Sequence, residues 1–402
     1  MLHRCCLLAS LCLVPLLAPA QSYTDRIYGR VVTQEGDTFE GLIRWDKNEA
    51  SWVDLLNGAK TTHSGDRRRR TIEVFGIEVI EYEEGGSGGS RISGVRFGHL
   101  ERLENTGSNR ALLTLRSGQR VEFRGGSTDI GNDVREIIVE DPARGEVELR
   151  WRNIDYIDFR PTRDAATSRY GPRLFGTLTT RNGYAFTGYI CWDVDEVLAQ
   201  DILDGEDENG YDRKIPFGTI ARIERESRRS SRVLLRSGDV MVLRGSNDVN
   251  DENRGILVLD PYLGQVQVDW DTFEAVTFSE PDFPITYNDF YGSGLLKGTV
   301  MTDDGQTYTG VIRWDNDEAY AWELLNGSLD GLDFDIEFAF VREIERLSSR
   351  AARVFLRDGR SFDLRDSNDV NDENDGIFVT LADGSEVKIV WDDFERVRFD
   401  KP

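Results

Sequence analysis

From Gly298 the chain reads T-V-M-T, then Asp303-Asp304-Gly305, then Q-T-Y-T-G-V-I, with apolar and polar positions alternating on both sides of the turn. A period of two puts successive side chains on opposite faces, and Asp-Gly is a strong hairpin turn, so the pattern predicts two paired strands. The run G-I-L-V-L-D-P-Y-L-G-Q-V-Q-V-D-W from Gly255 to Trp270 predicts another hairpin. No segment keeps a 3.6-residue apolar period for about ten residues between good caps. The chain therefore reads as all-β, with single helical turns such as Trp270 to Val276 between strands.

The pattern recurs. G-R-V-V-T-Q-E-G-D-T-F-E-G-L-I-R-W-D (Gly29 to Asp46) matches G-T-L-T-T-R-N-G-Y-A-F-T-G-Y-I-C-W-D (Gly176 to Asp193) and G-T-V-M-T-D-D-G-Q-T-Y-T-G-V-I-R-W-D (Gly298 to Asp315). A second set follows. Val233 to Ile256 and Val354 to Ile377 align closely, and Leu113 to Ile137 aligns more loosely. Each set closes on a tryptophan strand, at Trp151, Trp270 and Trp391. Self-similarity at a fixed spacing marks repeat architectures, and here it predicts three tandem repeats of about 120 residues. The expected boundaries are 21–160, 174–278 and 296–402, with linkers at 161–173 and 279–295. The first repeat carries an insertion, 59–96, expected to be a loop or an extra hairpin.

The two parts of each repeat also resemble one another. Lys214 to Glu224 tracks Val268 to Phe278, each a strand, a single turn and a short strand. In strand count, and in the D-G-x-x-Y-x-G pattern at Asp304 to Gly310, each half resembles the SH3-like and Sm-like small β-barrels. The resemblance implies a fold of two small-barrel halves per repeat and no function, because function resides in sites rather than folds. A six-bladed β-propeller is the alternative, since it too is built from small β modules.

The N-terminus differs from the rest. Met1 to Arg4 is followed by an apolar run from Cys5 to Leu17 and by Ala18-Pro19-Ala20, the three zones of a secretory signal peptide. Residues 1–20 are expected to be removed, and the protein to be periplasmic or secreted. Of the cysteines only Cys191 would remain, leaving no internal disulfide. A formal charge of −24 argues against non-specific nucleic-acid binding, while 20 Phe, 13 Tyr and 8 Trp supply enough aromatic surface for real cores.

Few residues suggest chemistry. Asp248-Val249-Asn250-Asp251-Glu252-Asn253 recurs from Asp369 to Asn374, and hard oxygen ligands at alternating positions suit calcium, with Asp248, Asn250, Asp369 and Asn371 as candidate ligands. The EF-hand spacing fails, however, and Asn and Asp also bond their own backbone in loops. Six tryptophans sit at repeated strand ends and read as core, whereas Trp52 and Trp322 lie off those positions and are the expected surface candidates for a partner. Arg67, Arg68, Arg69 and Arg70 form a basic run in an acidic chain and are the other partner candidates. No H-E-x-x-H, G-x-S-x-G, phosphate-binding glycine loop or C-x-x-C is present. The expectation is an exported, non-enzymatic β-repeat protein that binds or scaffolds a protein partner and needs no cofactor. A carbohydrate-binding protein, or a glycoside hydrolase using an acidic pair, is the second reading. A structural envelope component is the third.

Overall fold

A computed structural model describes residues 23–61, 70–74, 77–81, 90–125, 129–163, 166–290 and 294–402, of which 59–61, 70–74, 77–81 and 90–93 are described by backbone alone. The proposed signal peptide and Arg67, Arg68 and Arg69 lie outside the described residues. Arg70 is described only as the first backbone position of a strand. The chain is all-β: antiparallel strands joined by turns and 3-10 turns, with no α-helix among the described residues. No helix there is long and apolar enough to cross a membrane.

The pairing departs from expectation in one respect. The hairpin Phe175–Thr180 with Ala185–Cys191 does not pair with the strands that follow it in the chain. Its second strand pairs with Ile256–Asp260 (Tyr189 opposite Leu259), and its first with Phe273–Phe278. The intervening strands Ile202–Glu206 and Ile220–Ser227 pair instead with the later hairpin Ser230–Leu235 and Val240–Arg244, and Asp212–Pro216 pairs with Ile202–Glu206. The same exchange occurs from Tyr28 to Phe159, where Thr38–Trp45 pairs with Ile137–Asp141 and Tyr28–Thr33 with Ile154–Phe159. It occurs again from Lys297 to Phe399, where Thr307–Arg313 pairs with Ile377–Thr380 and Lys297–Thr302 with Phe394–Phe399. Contiguous small-barrel halves were the expectation. Instead one five-strand group of each stretch is assembled from a hairpin and a three-stranded segment that are separated in sequence, and the other, such as Ile202 to Arg244, is contiguous and inserted between them. No closed barrel occurs among the described strands.

One backbone approach makes this exchange possible. At Gly41, Gly188 and Gly310 a Cβ atom would run into the carbonyl oxygen of Glu140, Leu259 and Thr380 on the neighbouring strand. The recurring F/Y-x-G in the hairpin is thus a steric requirement of the long-range pair.

The strands from Tyr28 to Phe159 form a ten-stranded sheet, and those from Phe175 to Phe399 a twenty-stranded one. The joint within the larger sheet is Gly264–Val268 against Leu332–Glu337, with Val266 opposite Phe334 and Gln265 opposite Asp335. It fuses the cores on either side. Phe334 meets Phe186 at 6.0 Å and Phe362 at 4.8 Å between ring centroids. In the 59–96 insertion, Arg70–Val74 pairs with Ile77–Glu81 as a separate two-stranded hairpin, one of the two forms expected.

Ion pairs tie the stretches together. Arg173, fully buried, holds Asp54 (Nη2–Oδ1 2.9 Å), whose Oδ2 also accepts from Ala50 N–H at 2.6 Å and Ser51 N–H at 2.7 Å. Asp201 makes the equivalent loop contacts to Val197 and Leu198, both 2.8 Å, and is gripped by Arg44 at 2.8 and 3.0 Å. Glu337 receives Arg96 at 3.4 Å and His99 at 3.1 Å, while Arg96 Nη2 donates to the Asp260 carbonyl at 2.9 Å. That junction joins all three stretches in one buried cluster.

Two outcomes test this account. Gly188→Ala forces the Leu259 strand away and lowers stability by about 1–3 kcal/mol, whereas Gly107→Ala, with open space around its Cβ, leaves the denaturant midpoint unchanged. Arg173→Met leaves Asp54 charged and buried, and costs about 3–5 kcal/mol in the same measurement. Arg163→Met at an exposed pair changes it by less than about 1 kcal/mol.

Candidate functional site

The strongest concentration of chemistry lies where the first hairpin of each stretch ends. Its last strand runs into Trp-Asp-x-x-Glu: Trp45 to Glu49, Trp192 to Glu196, Trp314 to Glu318. Each tryptophan pairs with its glutamate across a three-residue loop. The first two loop residues take left-handed backbone: Asp46 and Lys47, Asp193 and Val194, Asp315 and Asn316. Val194 at φ +60° is costly for a β-branched residue and is held there by its surroundings.

Those surroundings are the Asn/Asp loop. The Trp45, Trp192 and Trp314 Nε1–H groups donate to the carbonyls of Asp129, Asp248 and Asp369 at 3.0, 2.9 and 3.0 Å. The carboxylates of the same three aspartates accept from the backbone N–H of Asn57, Asp204 and Asn326 at 2.7, 2.7 and 2.6 Å. Asp193 accepts from Arg254 N–H at 2.6 Å and from its guanidinium at 2.9 and 3.1 Å, and Asn247 also donates to it. Asp315 likewise accepts from Asn368 and from the Asp375 N–H. A buried tryptophan, two aspartates and a tight loop thus lock one another in place.

The glutamate is the exception. Asp193, Glu196 and Asp248 bring one carboxylate oxygen each within 4.8 Å of one another, as do Asp315, Asp317 and Glu318. Glu196 Oε2 is buried without a hydrogen-bond partner, and so is Glu49 Oε2 in the first stretch. Burial, with Asp248 and Asp193 adding repulsion, pushes Glu196 up to about 9. Burial also lifts Asp248 to about 6, against the pull of the Asp204 N–H. Glu49 is raised well above the usual carboxylate range by burial, then by Asp129, Asp54 and Asp46. At neutral pH Glu196 therefore holds a proton between Asp193 and Asp248. A hard cation suits the same oxygens, but it would have to displace that proton and share Asp193 with Arg254.

Of the sequence-derived candidates, Asp248 and Asp369 lie at the centre of this arrangement. Asn250 and Asn371 instead accept from Glu252 and Glu373 N–H, both at 2.8 Å, as self-bonded loop residues. Trp52 and Trp322 were expected at the surface and are buried, at 0% and 2% exposure. Trp52 packs on Tyr287 at 4.6 Å and donates to the Thr24 carbonyl. Trp322 packs beside Tyr320 and donates to Gln119 at 2.9 Å. Both seal contacts between distant parts of the chain, so no partner reaches them. Cys191 is buried and its thiol pushed well up by burial, which keeps it unreactive. Glu49 and Glu196 went unrecognised as site residues, although the repeated W-D-x-x-E spacing was visible in the sequence.

No protein-family description, curated protein or solved structure matches this chain.

The raised Glu196 sets a pH dependence with a definite sign. Its folded pKa, about 9, lies above the ordinary glutamate value of 4.5, so its contribution to stability is complete below that lower value and is lost as pH rises towards 9. Glu196→Gln keeps the shape and removes the titration. Between about pH 5 and pH 9 the melting temperature of the native chain falls by at least ~2 °C more than that of the variant.

Proposed function

We propose that the chain is an exported, non-enzymatic scaffold of the periplasm or cell envelope that binds a protein partner. The observation that carries this reading is the repetition of the Trp-Asp-x-x-Glu cluster on equivalent strands of the three stretches. A catalytic centre needs one asymmetric set of groups, whereas these carboxylates recur in register and are consumed by backbone N–H and arginine partners. Export rests on the N-terminal sequence, Met1 to Ala20.

The finer fold reading belongs with it: three tandem repeats, each of two SH3-like groups. Five strands per group, with the last beside the first, support this over a propeller, whose blades have four strands. Repeated loops raise avidity for a partner without new contacts.

The test is a crosslinked pull-down from envelope extract with the chain from Gln21 as bait. One or two proteins should be retained specifically, and should be lost when residues 62–89, between the paired strands Leu55–Thr61 and Ser90–Arg96, are replaced by a short turn. Turnover of a polysaccharide panel, lost in Glu196→Gln, would instead favour the hydrolase reading.

A further inference from the structure

The twenty-stranded sheet has two free ends. Among the described residues, Asp212–Pro216 pairs only with Ile202–Glu206, and Glu386–Ile389 only with Ile377–Thr380. Unpaired edges expose a row of backbone donors and acceptors, a template for another strand. The internal joint of the same sheet shows how such ends fit. There Gly264–Val268 occupies the place in its stretch that Glu386–Ile389 occupies in the next: Val268 lies opposite Ile256 as Ile389 lies opposite Ile377. Its partner Leu332–Glu337 corresponds to Asp212–Pro216, since Ile336 lies opposite Leu325 as Ile215 lies opposite Leu203.

Carrying the joint's register over to the free ends gives a specific pairing. Gln265 opposite Asp335 becomes Glu386 opposite Lys214. Gln267 opposite Asp333 becomes Lys388 opposite Asp212. Val266 opposite Phe334 becomes Val387 opposite Arg213, and Val268 opposite Leu332 becomes Ile389 opposite Tyr211. Both charged pairs are of opposite sign. Tyr211, one of the most exposed large side chains at 66%, gains an apolar neighbour. Ser385 takes the place of Gly264 in the turn before the strand, so the pairing spans the four residues Glu386 to Ile389.

The side chains are available. Asp212 and Lys214 are exposed and make no ion pair within the described chain, while Arg213 is held by Asp207 at 2.9 Å. Glu386 lies 3.4 Å from Arg313, and Lys388 sits over the Phe378 ring at 5.4 Å. The other edge of the matching kind, Gly145–Leu149, would set Glu148 against Asp212, like against like, and its Glu146 is already taken by Tyr170 and Arg169.

We propose that Glu386–Ile389 of one copy pairs with Tyr211–Lys214, at the free edge of the strand Asp212–Pro216, of a second copy, in the register of the internal joint. The contact is heterologous, so it leaves a free end on each side and extends into a ring or an open chain. This inference stands apart from the protein-partner reading above, because it uses different strands and a different occupant.

The test is sedimentation velocity of the full chain over a wide concentration range. Mass should rise in steps of one chain. Glu386→Lys with Lys388→Glu should weaken self-association at least tenfold, and so should Asp212→Lys with Lys214→Glu. An equal mixture of these two variants places opposite charges at every contact again, and should associate as the native chain does. The recovery also shows that both variants are folded. A single-chain mass at all concentrations overturns the proposal. So does association that neither charge reversal weakens, or a mixture that fails to recover.

Discussion

The close approach of a hairpin to a strand about seventy to one hundred residues further along the chain organises the rest of the molecule. Gly41, Gly188 and Gly310 permit that approach, because any side chain there would meet a backbone carbonyl. Once the first hairpin is paired with the last three strands of its stretch, the five strands between pair mainly with one another, and one of them, such as Ile220–Ser227, also pairs with the last strand, Phe273–Phe278. They do so in the same order, and the 3-10 turns at Phe97–His99, Phe217–Thr219 and Phe338–Phe340 carry the chain between the strands of this inner group. Two interleaved five-strand groups share one core where two adjacent ones would each have been too small to bury much surface.

Interleaving brings polar groups inside. The Trp-Asp-x-x-Glu loops solve this locally, since nearly every buried oxygen receives a backbone or indole N–H. The glutamates at 49 and 196 are left with one oxygen unsatisfied each, and protonation is the cheapest remedy for a carboxyl flanked by aspartates. Between stretches the solution is different. Arg173, Arg44 and Arg96 reach across to Asp54, Asp201 and Glu337, so that alignment of the stretches depends on buried charges that tolerate no vacant partner.

The sheet ends show a third use of charge. At the internal joint, Val266 and Phe334 bury apolar surface beside the Gln265 to Asp335 hydrogen bond of 2.9 Å. At the free ends Arg213 stands in the place of Phe334, and Glu386 and Lys214 in the places of Gln265 and Asp335, which keeps indiscriminate edge pairing in check while retaining a complementary order of signs. Hydrophobic pairing makes one joint permanent, and charged pairing suits a contact that forms between separate molecules.

Much was legible in the sequence. Alternation and turn residues determined that the chain is all-β, and recurrence of W-D and of N-D-V-N-D-E-N placed equivalent elements in each stretch. The recurring tryptophans read correctly as core, because a large side chain with one donor at a strand end is most cheaply placed inside. Trp52 and Trp322 did not, since their burial involves Tyr287 and Gln119, which approach only in the folded chain. The exchange of hairpins was likewise illegible: local patterning specifies that a strand has one buried face, not which distant strand lies beside it. Period, turns and repetition are properties of neighbouring residues, and the sequence by itself determined them. Partner choice, the proton held by Glu196 and the order of charges at the sheet ends depend on groups far apart in the chain. Only the tertiary structure decided those, by bringing the groups within reach of one another.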